Sequence, residues 1–181
     1  MTMKKMKKVI AFVMITSMIM SHQAYANVAD WELLPGHHNQ SVFLTEGEVT
    51  SEDILDLNAI FRGRKLSTAM LTITNEENGS LYISVNTFAH ENVDKIYQTV
   101  FLDEWSDSEE DWIQIGKWDF TRTKEEEENG ELSSYHVGFF VDNCVLNHYY
   151  RARAMHLVEW GDLMEGKATE TNGVLLTDHE I

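Results

Sequence analysis

The sequence predicts an all-β domain, an antiparallel sandwich of two sheets stacked face to face. Three observations lead there. Short runs rich in valine, isoleucine, threonine and aromatic residues recur along the chain with turn chemistry between them. Only SEDILDLNAIF, residues 51–61, could carry a helical period, and it alternates equally well as a strand. The one cysteine, Cys144, rules out an internal disulfide, so a chain of 181 residues must be held by a core of apolar sheet faces.

The first 26 residues read as a secretory signal peptide. Lys4, Lys5, Lys7 and Lys8 make a positive start, residues 9–20 are apolar apart from Thr16 and Ser17, and Ala24-Tyr25-Ala26 is a small-x-small cleavage site. The stretch is too short to be a membrane anchor. Cleavage there removes four of the 14 basic residues and none of the 30 acidic ones, leaving ten against 30, a net charge of −20. Such a surface repels nucleic acid and anionic lipid. The expected product is secreted and extracellular, with no nucleic-acid partner and no membrane anchor.

Residues 27–40, with the only proline, read as a loose lead-in, and residues 41–181 as a single sandwich domain. Strands are expected over RKLSTAMLTIT, SLYISVNTFA, KIYQTVFLDEW, WIQIGKWDFTRT, LSSYHVGFFV, HYYRARAMHLVEW and KATETNGVLLT. Asn78-Gly79 and Asn129-Gly130 are expected to close hairpins, and GDLMEG to be a turn.

Alternation assigns faces. Tyr150, Ala152, Ala154, His156, Val158 and Trp160 fall on one side of their strand, Arg151 and Arg153 on the other. Small alanines between large apolar groups suit packing against a second sheet. Two guanidiniums are costly to bury, so their side is expected to be wet, with carboxylates of neighbouring strands as partners. Tyr135, Val137, Phe139 and Val141 are expected inward, as are Ile96, Val100 and Leu102.

The segments VDKIYQTVFLDEW, DWIQIGKW, HYYRARAMHLVEW and TNGVLLT, spread over residues 93–177, resemble a group of small secreted proteins of Gram-positive bacteria without established function. More distantly, YYRARAMH followed by GKATETNGVLLT is similar to the last hairpin of fibronectin type III and other immunoglobulin-like sandwiches. That resemblance implies an immunoglobulin-like sandwich with an N-terminal extension, an inward tyrosine on the penultimate strand, and export. It transfers no catalytic residue.

Several constellations are candidates for chemistry. Asp107, Glu109 and Asp111 alternate like the first half of a calcium loop, but Trp112 stands where its glycine belongs and Trp118 where its bidentate glutamate belongs. Calcium is therefore a possible ligand of an improvised site, against the simpler reading of a solvated acidic turn. His37 and His38 adjoin a Pro-Gly turn, and His136 would meet His148 or Arg151 if their strands were neighbours. No zinc spacing and no nucleophile elbow occur. His156 reads as a core histidine bonded to a carbonyl. Trp112 and Trp118, six apart, share a face if their strand is regular. With Trp105 beside the acidic turn, and with Arg151 and Arg153, they are the candidate binding residues.

The leading functional reading is a non-enzymatic exported sandwich that binds an extracellular protein or glycan. A small secreted carbohydrate-active hydrolase and a calcium-dependent adhesion or assembly module are the alternatives.

Overall fold

A computed structural model describes residues 30–38, 41–45, 47–56 and 65–180. The signal-peptide reading lies outside them, as do residues 57–61 of the ambiguous segment, whose first part is strand. Among the described residues, nine strands follow a short 3-10 turn at Trp31–Leu33: β1 Thr50–Asp56, β2 Leu66–Asn75, β3 Leu81–Ala89, β4 Lys95–Ser106, β5 Asp111–Thr123, β6 Ser134–Val141, β7 Tyr149–Trp160, β8 Leu163–Glu170 and β9 Val174–Leu175. They form two antiparallel sheets, ordered β1-β2-β3-β6 and β5-β4-β7-β8, with β9 also paired to β7. The expected two-layered sandwich is what the chain forms. Among the described residues no helix is long and apolar enough to cross a membrane.

The core lies between the layers. Leu71, Ile73, Leu81, Ile83 and Val85 of the first sheet meet Val100, Leu102, Tyr150, Ala152 and Ala154 of the second, with Val174 and Leu176 at one end. Each large aliphatic side chain buried there contributes about 1.5–3 kcal/mol relative to exposure. Val137, Phe139 and Val141 pack on this cluster, and Ile96 with Val158 centres a second one that Tyr135 adjoins, so the expected inward residues are inward. Tyr150 is fully buried, and its hydroxyl donates to the Val145 carbonyl (3.0 Å) and accepts from the Val145 amide (2.9 Å). A tyrosine bonding back to the backbone just upstream is the corner device of immunoglobulin-like sandwiches.

Three local expectations are corrected. Asn78-Gly79 does close the β2–β3 hairpin, with Gly79 at φ 87°, but Asn129-Gly130 lies on the crossover from β5 to β6, which belong to different sheets. GDLMEG is mostly strand: only Gly161 and Asp162 turn, and β8 begins at Leu163. KATETNGVLLT is two strands, because the Thr171 hydroxyl takes the Ala152 amide (2.9 Å) where the ladder would continue, and β9 resumes beside β7 at Val174.

His156 is a core histidine, with hydroxyl rather than carbonyl partners. Its Nδ1 bonds Thr87 Oγ1 and its Nε2 bonds Thr169 Oγ1, both at 2.9 Å. Complete burial pushes its pKa down to about 3. The Gln98 amide donates to the same Thr87 hydroxyl (2.9 Å) and to the Tyr135 carbonyl (3.0 Å), so a polar thread joins the two sheets inside the core.

Candidate functional site

The face of β7 opposite its alanines carries the arginines, as alternation requires, but that face is not wet. The Arg151 and Arg153 side chains are only 14% and 15% exposed. Asp103, their neighbour on β4 and 1% exposed, holds both. Its Oδ2 accepts from Arg151 Nε (2.9 Å) and Arg153 Nε (2.6 Å), and its Oδ1 from Arg153 Nη2 (2.7 Å). Arg151 Nη1 also donates to Glu170 Oε1 of β8 (2.6 Å) and to Ser41 Oγ (3.1 Å). The expected cross-strand pairs therefore exist, but under cover, where charge-assisted geometry of this kind is strongest.

The cover comes from a strap made of residues 31–38, within the segment expected to be a loose lead-in, and residues 41–44, the expected start of the sandwich domain. Its backbone pairs in parallel with the edge beyond β7: His37 N donates to Ala168 O, Ala168 N to Pro35 O, Leu44 N to Gly173 O and Gly173 N to Val42 O. Asp53 of β1 ties this strap to the sheet, accepting from the Glu170 amide (2.9 Å) and bonding His37 Nδ1 (2.5 Å). The result places Trp31 over Arg153 (4.9 Å to the ring centroid), and Trp31 Nε1 donates to the Ala154 carbonyl (3.2 Å). Stacking on aromatic faces is how a weakly hydrated guanidinium is accommodated away from water.

Trp112 covers Arg151 at 4.8 Å. It can do so because β5 is not regular. The β4–β5 register shifts between Leu102 and Asp103, which pair with Gly116 and Gln114 and leave Ile115 as the extra residue. A bulge reverses the parity beyond it. Trp112 thus lies on the outer face with Trp105 (centroids 5.5 Å apart), whereas Trp118 packs on Phe139 in the core. The shared face expected for Trp112 and Trp118 is thereby corrected, and the Trp118 ring lies against Gly116, where a Cβ would come within 2.4 Å of it. Phe43 of the strap completes the group, near Trp105 (5.1 Å) and Trp112 (5.8 Å) and stacked on Tyr149 (4.4 Å). Gly173 is needed under it, since a Cβ there would come within 2.7 Å of the Trp112 ring.

A cleft of about 430 Å³ opens between strap and sheet, lined by Trp31, His38, Ser41, Trp105, Trp112, Arg151 and Glu170, with Glu110 and Asp111 at its rim. That volume lies in the range of small-ligand sites. The Glu170 side chain is 4% exposed. Burial raises its carboxyl above the usual carboxylate range, and the bonds from Ser41 and the charges of the two arginines oppose that shift without reversing it. A second cleft of about 560 Å³ lies across Trp105, lined by Glu104, Asp107, Glu109, Ile113, Ile115 and His148. Its polar groups are largely satisfied: His148 bonds Glu104 (2.5 Å), and Asp107 accepts from the Trp105 indole (2.9 Å).

The other candidate residues are placed apart. Asp107 and Glu109 lie in the turn between β4 and β5, and Asp111 begins β5, where it accepts from the Trp112 amide (2.7 Å). Among the described residues no group of three histidine, cysteine, aspartate or glutamate side chains is placed to hold a metal ion. His136 does not meet His148 or Arg151, because β6 pairs with β3, and it bonds Asn86 instead (2.7 Å). His37 and His38 diverge, the first to Asp53 and the second to the Leu34 carbonyl (2.6 Å).

So four of the five candidate binding residues, Trp105, Trp112, Arg151 and Arg153, lie on one face, and Trp118 does not. The alternation of β4 puts Asp103 opposite Leu102 and could have nominated it. Trp31, Ser41 and Glu170 had no such signal, since only the docking of the strap brings them in.

Residues 41–174 match the model of a family of unknown function, DUF6147. The chain belongs to that family. No curated protein matches it. Among solved structures, a crystal structure of Spo0M, sporulation control protein, from Bacillus subtilis aligns at 11% identity and a TM-score of 0.32, over 71% of this chain and 50% of that one. The chain thus spans half the length of that structure, and a likeness of that size says nothing about fold or function.

Proposed function

We propose that this chain is a secreted, non-enzymatic binding protein that engages an extracellular partner through the outer face of the β5-β4-β7-β8 sheet. One observation carries the reading: a cleft walled by three half-buried indoles, with a fixed guanidinium and a buried carboxyl in it. Concave apolar walls with a few oriented polar groups are what recognition sites share. Rigid aromatic and arginine side chains are also the residues that most often dominate binding energy. The deeply buried carboxylate Asp103 takes three bonds from the two guanidiniums, which makes it their counter-ion.

The test is sedimentation of the purified protein with cell walls and extracellular polymer from the producing organism. Saturable binding weakened at least tenfold by Trp112→Ala is the expected result, an effect typical of a central aromatic anchor. Absence of binding, or binding indifferent to that change, contradicts the proposal.

A further inference from the structure

Two polar atoms of residues that line the cleft have no hydrogen-bond partner among the described residues. Arg151 spends Nε on Asp103 and Nη1 on Glu170 and Ser41, and its Nη2 has no partner among the described residues. Glu170 accepts Arg151 and Ser41 on Oε1 alone, and its Oε2 likewise has none. Each spare atom shares a carbon with a member of the Arg151–Glu170 ion pair, so a donor and an acceptor flank that pair. Both residues line the cleft, with Trp31, Trp105 and Trp112 around them. The second cleft has no arginine among its lining residues, and so no guanidinium edge to offer.

From this we infer that the cleft takes a neutral saccharide, read through two neighbouring hydroxyls. One hydroxyl accepts from Arg151 Nη2 and the next donates to Glu170 Oε2, the only division of roles that an acceptor-free guanidinium and a carboxylate permit. The apolar C–H side of a sugar ring packs on the indoles, which supply area at little conformational cost. The charge balance selects against acidic sugars. Arg151 is already matched by Asp103 and Glu170, and Glu110 and Asp111 at the rim repel a further carboxylate. The ion pair fixes the spare atoms in advance, so binding does not have to order them. The site is built from both ends of the chain: Trp31 and Ser41 belong to the strap, Arg151 and Glu170 to the final strands. This inference rests on the binding role proposed above and narrows it to one ligand class.

The test uses the five tryptophan indole N–H signals of the ¹⁵N-labelled protein, of which Trp118 and Trp160 serve as internal controls away from the cleft. Neutral hexose, N-acetylhexosamine and uronic-acid trisaccharides are titrated separately to about 10 mM, ten times a Kd of about 1 mM. A neutral trisaccharide is expected to move the Trp31, Trp105 and Trp112 signals and leave Trp118 and Trp160 in place. Trp112→Ala abolishes the movement of the remaining two while the control signals show an intact fold, and Glu170→Gln weakens it about tenfold. The inference is overturned if no neutral sugar moves these signals, if the uronide binds more tightly than the neutral sugars, or if Trp112→Ala leaves the response unchanged. Wall binding that persists without any sugar response sinks the saccharide inference alone. Loss of both sinks the binding role as well.

Discussion

Asp103→Asn is the substitution that most severely tests the buried charge cluster. Asp103 is 1% exposed and takes three bonds, at 2.6, 2.7 and 2.9 Å, from two arginines that are themselves mostly buried. Asparagine preserves the volume but removes the charge and offers one acceptor oxygen in place of two. Arg151 keeps Glu170 as counter-ion, whereas Arg153 has no other carboxylate partner among the described residues and keeps one hydrogen bond there, to Gln114 at 3.2 Å. Removing one member of a buried ion pair costs about 3–5 kcal/mol, because the remaining charge is left desolvated. For a domain of this size that corresponds to a fall in Tm of roughly 6–20 °C. The assay is urea and thermal unfolding followed by circular dichroism, with Asp119→Asn as the control. Asp119 forms an exposed pair with Lys117 (3.3 Å), and removing such a pair costs about 0–1 kcal/mol. Adding Arg153→Met to Asp103→Asn should recover part of the loss, since the orphaned charge goes with it. A loss below about 1 kcal/mol for Asp103→Asn, equal to the control, would refute the reasoning.

Further outcomes follow from the same contacts. Burial raises the Glu170 pKa above its ordinary value of 4.5, so its contribution is full below the unfolded carboxylate range and declines as pH rises through the raised value. Glu170→Gln should therefore gain on the wild type as pH rises above the ordinary carboxylate value of 4.5 in urea titrations, and a constant difference would contradict this. His156 has the opposite sign: its folded pKa of about 3 means stability is present above about pH 6.5 and lost as pH falls toward 3. Between about pH 6.5 and 4.5 the loss from this group is about 2 kcal/mol, absent in His156→Asn, and its ring signals should stay neutral across that range. Tyr150→Phe removes both bonds to Val145 and should cost about 1–2 kcal/mol by urea unfolding. N-terminal sequencing of the exported protein should begin at Asn27; an unprocessed, cell-retained chain would remove the basis for an extracellular partner.

The layered fold was legible because it is governed by a period of two. Along β7 the alternation put Ala152 and Ala154 inside and the arginines outside, and both alanines are fully buried. It failed where the period breaks. The extra residue at Ile115 turned Trp112 away from Trp118, and no pattern in WIQIGKW marks that insertion. It also failed where cover comes from afar. That Arg151 and Arg153 are dry depends on a strap more than a hundred residues upstream, held by main-chain bonds to Ala168 and Gly173 that carry no side-chain signature. Trp31 and Ser41 were therefore invisible as site residues, although the arginines they cover had been singled out.

The most direct test of the whole account is a measurement of the two guanidinium Nε–H protons by NMR at neutral pH. Indoles seated over Asp103-bound arginines predict two slowly exchanging signals, Arg151 showing through-space contacts to Trp112 and Arg153 to Trp31. Rapid exchange of both with water, and no contact to either ring, would mean that the arginines stand in solvent and that the cleft built around them does not exist.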